Sequence, residues 1–419
     1  MKPYKKEWTR LDNAAKIFPC NTNAQDTKVF RFVCQLKEPV DGTMLQKALE
    51  ETIEEFPIYK SVLKSGFFWY YLERSNIKPL VHMEDSPPCG PLYDKNSKRL
   101  LFDVSYFGNR INLEVFHALT DGTGAMNFLK TLVCKYLFYK HPDHFRDGPA
   151  KINYDASAHQ KNEDSFLKHI NPSLKGKKKL SRAVQIKGAK LLEYRLGIIE
   201  GTVSTSKLLE TARKYNTTIT VLIGALLIKA IYKEIPAVNR KRPIVLTIPV
   251  NLRSYFESET ARNFFGIINV GYAFSELDDS VDTIINTLNQ KFKKQLTKEN
   301  IIKSTGLFLA IERNPFVRFV PLFIKDIVLK IANIIAERQR TCTLSNIGRV
   351  EMPESTESFI EKFSVYNSTD RLGVWVCSYK DKLTISFTSV FKNTEIQKNF
   401  FRSLANMGVG VEIATTPDQ

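Results

Sequence analysis

The chain has 419 residues, 43% hydrophobic and 25% charged, proportions that exclude a globally disordered protein. Its 19 glycines and 18 prolines exclude collagen-like and linker-rich architectures, and the length points to two domains or two halves. Sixty-one Lys and Arg against 44 Asp and Glu leave a formal charge of +17, which admits nucleic acid, an anionic cofactor, a membrane surface, or plain lysine richness.

Strands and helices alternate along the chain. Val29–Val33 reads as a strand. Thr43 and Gln46 have the spacing of a capping box, opening a helix with Leu45, Ala48, Leu49, Ile53 and Phe56 on one face and stopping before Pro57. Phe67–Tyr71 is aromatic-rich and reads as a strand. A hairpin follows: Leu101–Phe107, the turn Gly108-Asn109, and Ile111–Phe116, whose alternation predicts two distinct faces. A short loop, His117–Thr123, leads to a helix with Phe128, Leu129, Leu132, Val133, Tyr136 and Leu137 inward.

The pattern breaks over 155–190, where the chain turns polar and then basic, with Lys175, Lys177, Lys178, Lys179, Arg182, Lys187 and Lys190. We expect a crossing at 171–190 between an N-terminal half, 1–170, and a C-terminal half, 191–419. The second half resumes with helices Ser206–Tyr215 and Ile219–Tyr232, the latter apolar on nearly all sides and so buried. Strands at Ile244–Val250 and Ile267–Phe274 and a helix over 281–292 come next. Phe316–Ile335 carries Arg318, Lys325, Asp326 and Lys330 and reads as an amphipathic helix. Packing on the core is the simpler expectation for it; membrane-surface or partner contact is the alternative. Strands at Thr341–Ser345, Gly373–Ser378 and Leu383–Val390 and a final helix with a second capping-box form at Thr394 complete a mixed α/β outline in each half.

Cys20, Cys34, Cys89, Cys134, Cys342 and Cys377 form no CxxC pair and read as small hydrophobes, reduced in a cytoplasm. No apolar h-region follows the basic N-terminus, so no secretory signal is expected. The apolar run between Lys214 and Lys229 is too short to span a bilayer, which takes roughly 20 residues. His141 and His144 flank Pro142 in a loop and make a poor metal site. No Walker-type or G-x-G-x-x-G cradle is present in the sequence.

One motif is sharp. His117-Ala118-Leu119-Thr120-Asp121-Gly122 stands between a strand end and a helix. A strand end is a rigid platform for an imidazole, and Gly122 and Gly124 allow a tight turn. Read from these residues alone, His117 is also compatible with a packed core histidine, and Asp121 with a simple helix cap.

The pattern resembles the HxxxDG signature of the chloramphenicol acetyltransferase-like superfamily, which includes condensation domains, plant acyltransferases and alcohol acetyltransferases. Pro249-Val250-Asn251-Leu252-Arg253 resembles that superfamily's strand ending in an N-L-R segment. Arg262-Asn263-Phe264-Phe265-Gly266 is similar to the segment after it, and Ser345-Asn346-Ile347-Gly348 to the S-N-x-G strand end of the alcohol acetyltransferase-like branch. Arg10-Leu11-Asp12-Asn13-Ala14-Ala15 resembles that branch's entry segment. Phe116 stands where condensation domains carry a second His, and the D-F-G-W-G motif of plant acyltransferases is missing. A stand-alone alcohol acetyltransferase-like enzyme is the closest match.

The resemblance implies two α/β halves with a channel between them and acyl-coenzyme A as a co-substrate, with no permanently bound cofactor. The acceptor would be a small alcohol or another hydroxyl compound; an acyl carrier protein is a possible donor partner. His117 would be the general base. Asp121 would face away from substrate and pair with Arg253, with Gly122 shaping the loop. Ser345 and Asn346 would donate to the oxyanion or the pantetheine, and Asn263 would line the tunnel. The competing readings are a non-catalytic binding or assembly subunit and a carrier-protein-dependent condensation-like protein forming esters or amides. Nucleic-acid binding is not expected, because the Phe and Tyr residues follow core periodicity.

Overall fold

The structure, a computed structural model, describes residues 7–154, 163–170, 182–274 and 277–416. Lys175, Lys177, Lys178 and Lys179 of the basic segment therefore lie outside the described residues. Arg182, Lys187 and Lys190 lie within them, outside the helices and main strands.

Strand-forming runs of β-branched and aromatic residues build two main sheets, giving the mixed α/β fold expected. The first has five strands in the order Ile360–Asn367, Val29–Leu36, Arg110–Phe116, Phe102–Phe107 and His82–Met83. Its hairpin turns at Gly108, whose φ of +56° suits glycine. Helices Gly42–Glu55 and Gly122–Lys140 pack on each other and on this sheet. Strand Arg110–Phe116 is buried on both faces rather than one. Its polar side is paired instead of solvated: Glu114 accepts from Arg31 Nε at 2.7 Å, and Asn112 donates to Glu84 at 3.2 Å.

The second sheet has seven strands in the order Phe265–Tyr272, Ile244–Asn251, Cys342–Arg349, Leu372–Tyr379, Lys382–Ser389, Gly197–Ser204 and Glu412–Thr415. Helices Ile219–Glu234, Val281–Gln295 and Glu395–Asn406 close its core. The halves are interlocked. Ile360–Asn367 lies in sequence between two strands of the second sheet, Cys342–Arg349 and Leu372–Tyr379, yet pairs antiparallel with Val29–Leu36 of the first. Its Lys362 Nζ and Tyr366 hydroxyl reach Glu200 of the second sheet at 2.5 and 2.8 Å.

Local departures have local causes. The first long helix is capped by Asp41, not Thr43: the Asp41 carboxylate accepts from Thr43 N and Met44 N at 2.9 and 3.0 Å. An anion at a helix N-terminus is favoured by the orphan N–H groups and the dipole, and Thr43 is already helical. Gln46 is occupied elsewhere, accepting from Val81 N at 2.8 Å. Thr394 likewise caps with backbone only, and Asn393 accepts from Glu395 N at 2.8 Å. Phe67–Trp69 is the turn between strands Ser61–Ser65 and Tyr70–Arg74, leaving Phe67 71% exposed. All six cysteines are free and buried. Burial pushes the Cys134, Cys342 and Cys377 thiols up to about 12.

Helix Leu322–Glu337 reverses the expected arrangement. Two of its charged residues point inward: the Asp326 carboxylate accepts from the Tyr70 hydroxyl at 2.6 Å, and Lys325 Nζ donates to the Phe68 carbonyl at 2.9 Å. Glu337 is buried against Arg340 and Arg371. Phe323, Ile327, Ile331 and Ile334 run along the outer face, flanked by Ile324, Val328 and Ile335, all exposed. Among the described residues no single helix is long and apolar enough to cross a membrane.

Candidate active site

His117 directly follows strand Arg110–Phe116, and its backbone N–H donates to the Lys28 carbonyl at 2.8 Å. Four residues later Asp121 caps helix Gly122–Lys140. Its Oδ1 accepts from Thr123 N and Gly124 N, both at 3.1 Å. Its Oδ2 accepts from Arg253 Nη1 and Phe264 N, both at 2.8 Å. One buried carboxylate thus satisfies four donors, two from the motif loop and two from the second half.

Arg253 lies in the single turn Leu252–Ser254 that ends strand Ile244–Asn251. Its Nη2 donates to the Thr260 and Arg262 carbonyls at 2.8 and 2.7 Å, and its Nε to Thr260 again at 3.2 Å. The guanidinium therefore clamps the loop 260–264 while pairing with Asp121. The two loops touch a second time through Thr120, whose hydroxyl donates to the Ala261 carbonyl. Gly124 lies against that same carbonyl, where a Cβ would have no room. At Gly122 the space is also limited: a Cβ would stand 3.3 Å from Ile347.

The same loop brings Asn263 to the imidazole. His117 Nδ1 lies 3.2 Å from Asn263 Oδ1. The amide's orientation is set from its other side, because Asn263 Nδ2 and N both donate to Asp12 Oδ2, at 3.2 and 3.3 Å. A carboxylate accepts only, so the amide nitrogen faces Asp12 and the oxygen faces His117. An oxygen at that position accepts from Nδ1–H, which leaves the lone pair on Nε2. Asp12 is itself buried, with Arg262 Nε 3.8 Å away, and Oδ1 accepts from Ala15 N at 2.8 Å. Burial raises its carboxyl to about 6, the Arg262 charge working against that shift.

Aromatic rings wall the imidazole. Phe18 stacks on it at 4.4 Å, Phe30 meets it edge-on at 5.0 Å, and Phe265 lies at 5.6 Å. Desolvation by these walls lowers the His117 pKa below its ordinary 6.5, so the ring is neutral at pH 7. His117 as a whole residue is only partly buried.

Ser345 and Asn346 part company. Along strand Cys342–Arg349, Leu344 belongs to the second core, and Asn346 Nδ2 donates to Thr220 at 2.9 Å, also on that side. Asn346 Oδ1 accepts from Gly348 N at 2.9 Å, closing the turn where Gly348 has φ +89°. Its amide is thus engaged at both ends. Ser345 alternates to the opposite face, beside Trp375 of the neighbouring strand, which packs in the first core. Its hydroxyl makes no hydrogen bond among the described residues.

No family model matches the sequence, and no curated protein matches it. Solved structures do match over nearly the whole chain. F. sporotrichioides TRI101, solved with coenzyme A and T-2, aligns with a TM-score of 0.65 at 12% identity, over 97% of this chain and 99% of that one. Polyketide synthase associated protein 5 from Mycobacterium tuberculosis aligns at 0.61 and 14% identity, over 94% and 96%. The first condensation domain of the CDA synthetase aligns at 0.60 and 13% identity, over 98% and 99%. The chain has the acetyltransferase and condensation-domain fold. Identities this low establish the fold alone, so the activity has to be argued from the site.

Three contributors to that site were not singled out from the sequence. Asp12 enters only as part of a short resemblance, Thr120 only as an interior residue of the HxxxDG run, and Phe18 carries no signal. The pairing of Phe18 with a histidine 99 positions later is purely tertiary.

Proposed function

We propose that this chain is an acyltransferase that moves an acyl group from a coenzyme A thioester to a hydroxyl acceptor, with His117 as general base. The observation that carries the reading is the Asp12–Asn263–His117 chain, which sets the tautomer that leaves Nε2 unprotonated. The acceptor O–H gives its proton to Nε2 as its oxygen attacks the thioester carbonyl. The resulting oxyanion takes a hydrogen bond from a nearby donor, for which Ser345 is the side chain with an unused hydroxyl. The intermediate then expels the thiolate by breaking the C–S bond, and the imidazolium returns the proton to sulfur. Nucleophile, base and leaving group are all accounted for, so no acyl-enzyme is required.

Asp121 and Arg253 act at one remove in this scheme, holding the motif loop against loop 260–264, which carries Asn263. Likeness to proteins solved with coenzyme A supports the donor class, and the acceptor class follows from the resemblance of the HxxxDG pattern. The test is thiol release from a panel of acyl-coenzyme A donors with and without alcohols. Acceptor-dependent release should fall on the order of 10²–10⁴-fold in His117→Ala, with the melting temperature unchanged. Wild-type turnover in that variant would remove His117 from the mechanism. Release with no donor in the panel, or release indifferent to acceptor, would remove the reading.

A further inference from the structure

A helix on a protein surface normally turns its apolar stripe inward. Leu322–Glu337 does the opposite. At 100° per residue its exposed aliphatic and phenylalanine side chains fall within an arc of about 140°. Phe323 is 63% exposed, Ile327 55% and Ile331 53%, while Asp326 and Glu337 are each only 9% exposed. The inward side is held by the Tyr70–Asp326 bond, the Lys325–Phe68 bond and the Glu337–Arg371 pair, so the orientation is specified by polar contacts. At about 100 Å² per half-exposed side chain, the stripe presents on the order of 700 Å² of apolar surface, above the ~300–600 Å² of a typical monomer's largest patch.

The surroundings say what covers it. Arg318 and Arg338 lie exposed at the two ends of this stretch, and Lys330 lies on the edge of the stripe. None of the three pairs with a carboxylate among the described residues. Arg182 adjoins the helix end, since Ala183 N donates to the Arg338 carbonyl at 2.9 Å. Exposed Phe67 sits at the other end, its carbonyl accepting from Leu322 N at 2.8 Å, with exposed Trp69 two residues on. The helix itself presents no acidic group outward. An apolar stripe rimmed by cations and ended by aromatics matches an anionic bilayer surface: side chains enter the acyl boundary while Lys and Arg reach the phosphates. A two-fold contact with a second copy would instead bring these unpaired cations together.

We propose that this helix is a peripheral docking face for an anionic membrane, lying in the plane of the surface without crossing it. The helix also packs on the short turn Phe18–Asn21, whose Phe18 stacks on His117, so the docked surface would adjoin one wall of the candidate site. The docking stands independently of whether that site transfers acyl groups.

The test is flotation of the full chain with vesicles of phosphatidylcholine alone and of phosphatidylcholine mixed with phosphatidylglycerol. Wild type should float with the mixed vesicles, weakly with the neutral ones, and less as salt rises. Ile327→Asp/Ile331→Asp should lower the bound fraction on the order of tenfold with the melting temperature unchanged, because both side chains are already exposed. Lys330→Glu/Arg338→Glu should lose the preference for the anionic mixture. As an independent readout, Phe323→Trp should add emission that shifts to shorter wavelength on mixed vesicles. Failure of wild type to float with either composition would overturn the proposal. So would undiminished binding by the double aspartate variant. A solution dimer that the same variant dissolves would assign the face to a second copy and overturn it as well.

Discussion

Asp121→Asn is the sharpest perturbation of the site, because it removes one charge and one acceptor while keeping the shape. The wild-type carboxylate accepts from four N–H groups, two on each oxygen. A carboxamide satisfies only one side. With its oxygen toward Thr123 and Gly124, its NH₂ confronts the Arg253 guanidinium and Phe264 N; flipped, it confronts the helix cap instead. Either way two donors lose their acceptor in a buried place. At roughly 1.5–3 kcal/mol per hydrogen bond to a charged group, the loss is about 3–5 kcal/mol, the range found when one partner of a buried ion pair is removed. An unfolding entropy of about 2.1 cal/mol/K per residue, applied to 419 residues melting as one unit, converts this to about 3–6 °C. Calorimetry of Asp121→Asn, Arg253→Gln and the double variant measures both the loss and the coupling. Turnover should fall with stability, because loop 260–264 also carries Asn263. A melting temperature within about 1 °C of wild type, or a coupling energy below about 0.5 kcal/mol, would refute the claim that this pair joins the two halves.

Other outcomes follow from the same geometry. The His117 pKa is lowered by burial, so the neutral base persists below pH 6.5 and the acid limb of kcat/KM should lie under that value; a limb above 6.5 would contradict the desolvated site. Asn263→Leu removes the acceptor of Nδ1–H and should lower kcat by up to about 10²-fold with KM for the donor little changed. Because a hydrogen bond to the imidazolium is lost, its acid limb should move lower still, a shift that a merely structural role would not produce. Gly124→Ala should fold poorly, since its Cβ meets the Ala261 carbonyl and the Thr120 hydroxyl; a melt like wild type would show that the two loops can part. Asp12 is raised from 3.8 to about 6 in the fold, so the folded state binds its proton more tightly. That stability is present below pH 3.8 and lost as pH rises through 6, and Asp12→Asn should escape the loss, gaining on the order of 3 kcal/mol at pH 7 relative to pH 3 in urea titrations.

Features carried by contiguous residues were legible in the sequence; those assembled across the chain were not. The hairpin 102–116, the buried helix Ile219–Glu234 and the loop from His117 into a helix announce themselves through turn chemistry and periodicity. Thr43 misled because two cap-competent residues lie two apart, and the carboxylate of Asp41 makes the stronger cap. Strand Ile360–Asn367 escaped notice because its alternation is weak and its partner, Val29–Leu36, lies more than 300 residues away. Helix Leu322–Glu337 shows why a periodic stripe gives a face but not a direction: its amphipathicity is plain, yet Tyr70 and Phe68 decide which face turns inward.

Asp12 is where local and global demands conflict, and the conflict is informative. A lone carboxylate in a buried segment costs stability that a neutral residue would not, as its raised pKa records. Its Arg262 neighbour offsets only part of that cost from 3.8 Å. What the ionised group supplies is direction. It accepts twice from Asn263, which turns one amide oxygen toward His117 Nδ1 and leaves Nε2 bare. A neutral asparagine at position 12 could donate as well as accept, so it would no longer dictate the orientation of Asn263. The arrangement gives up stability at neutral pH and keeps one tautomer of one histidine, a bargain that makes sense if proton transfer at Nε2 is the function of the site.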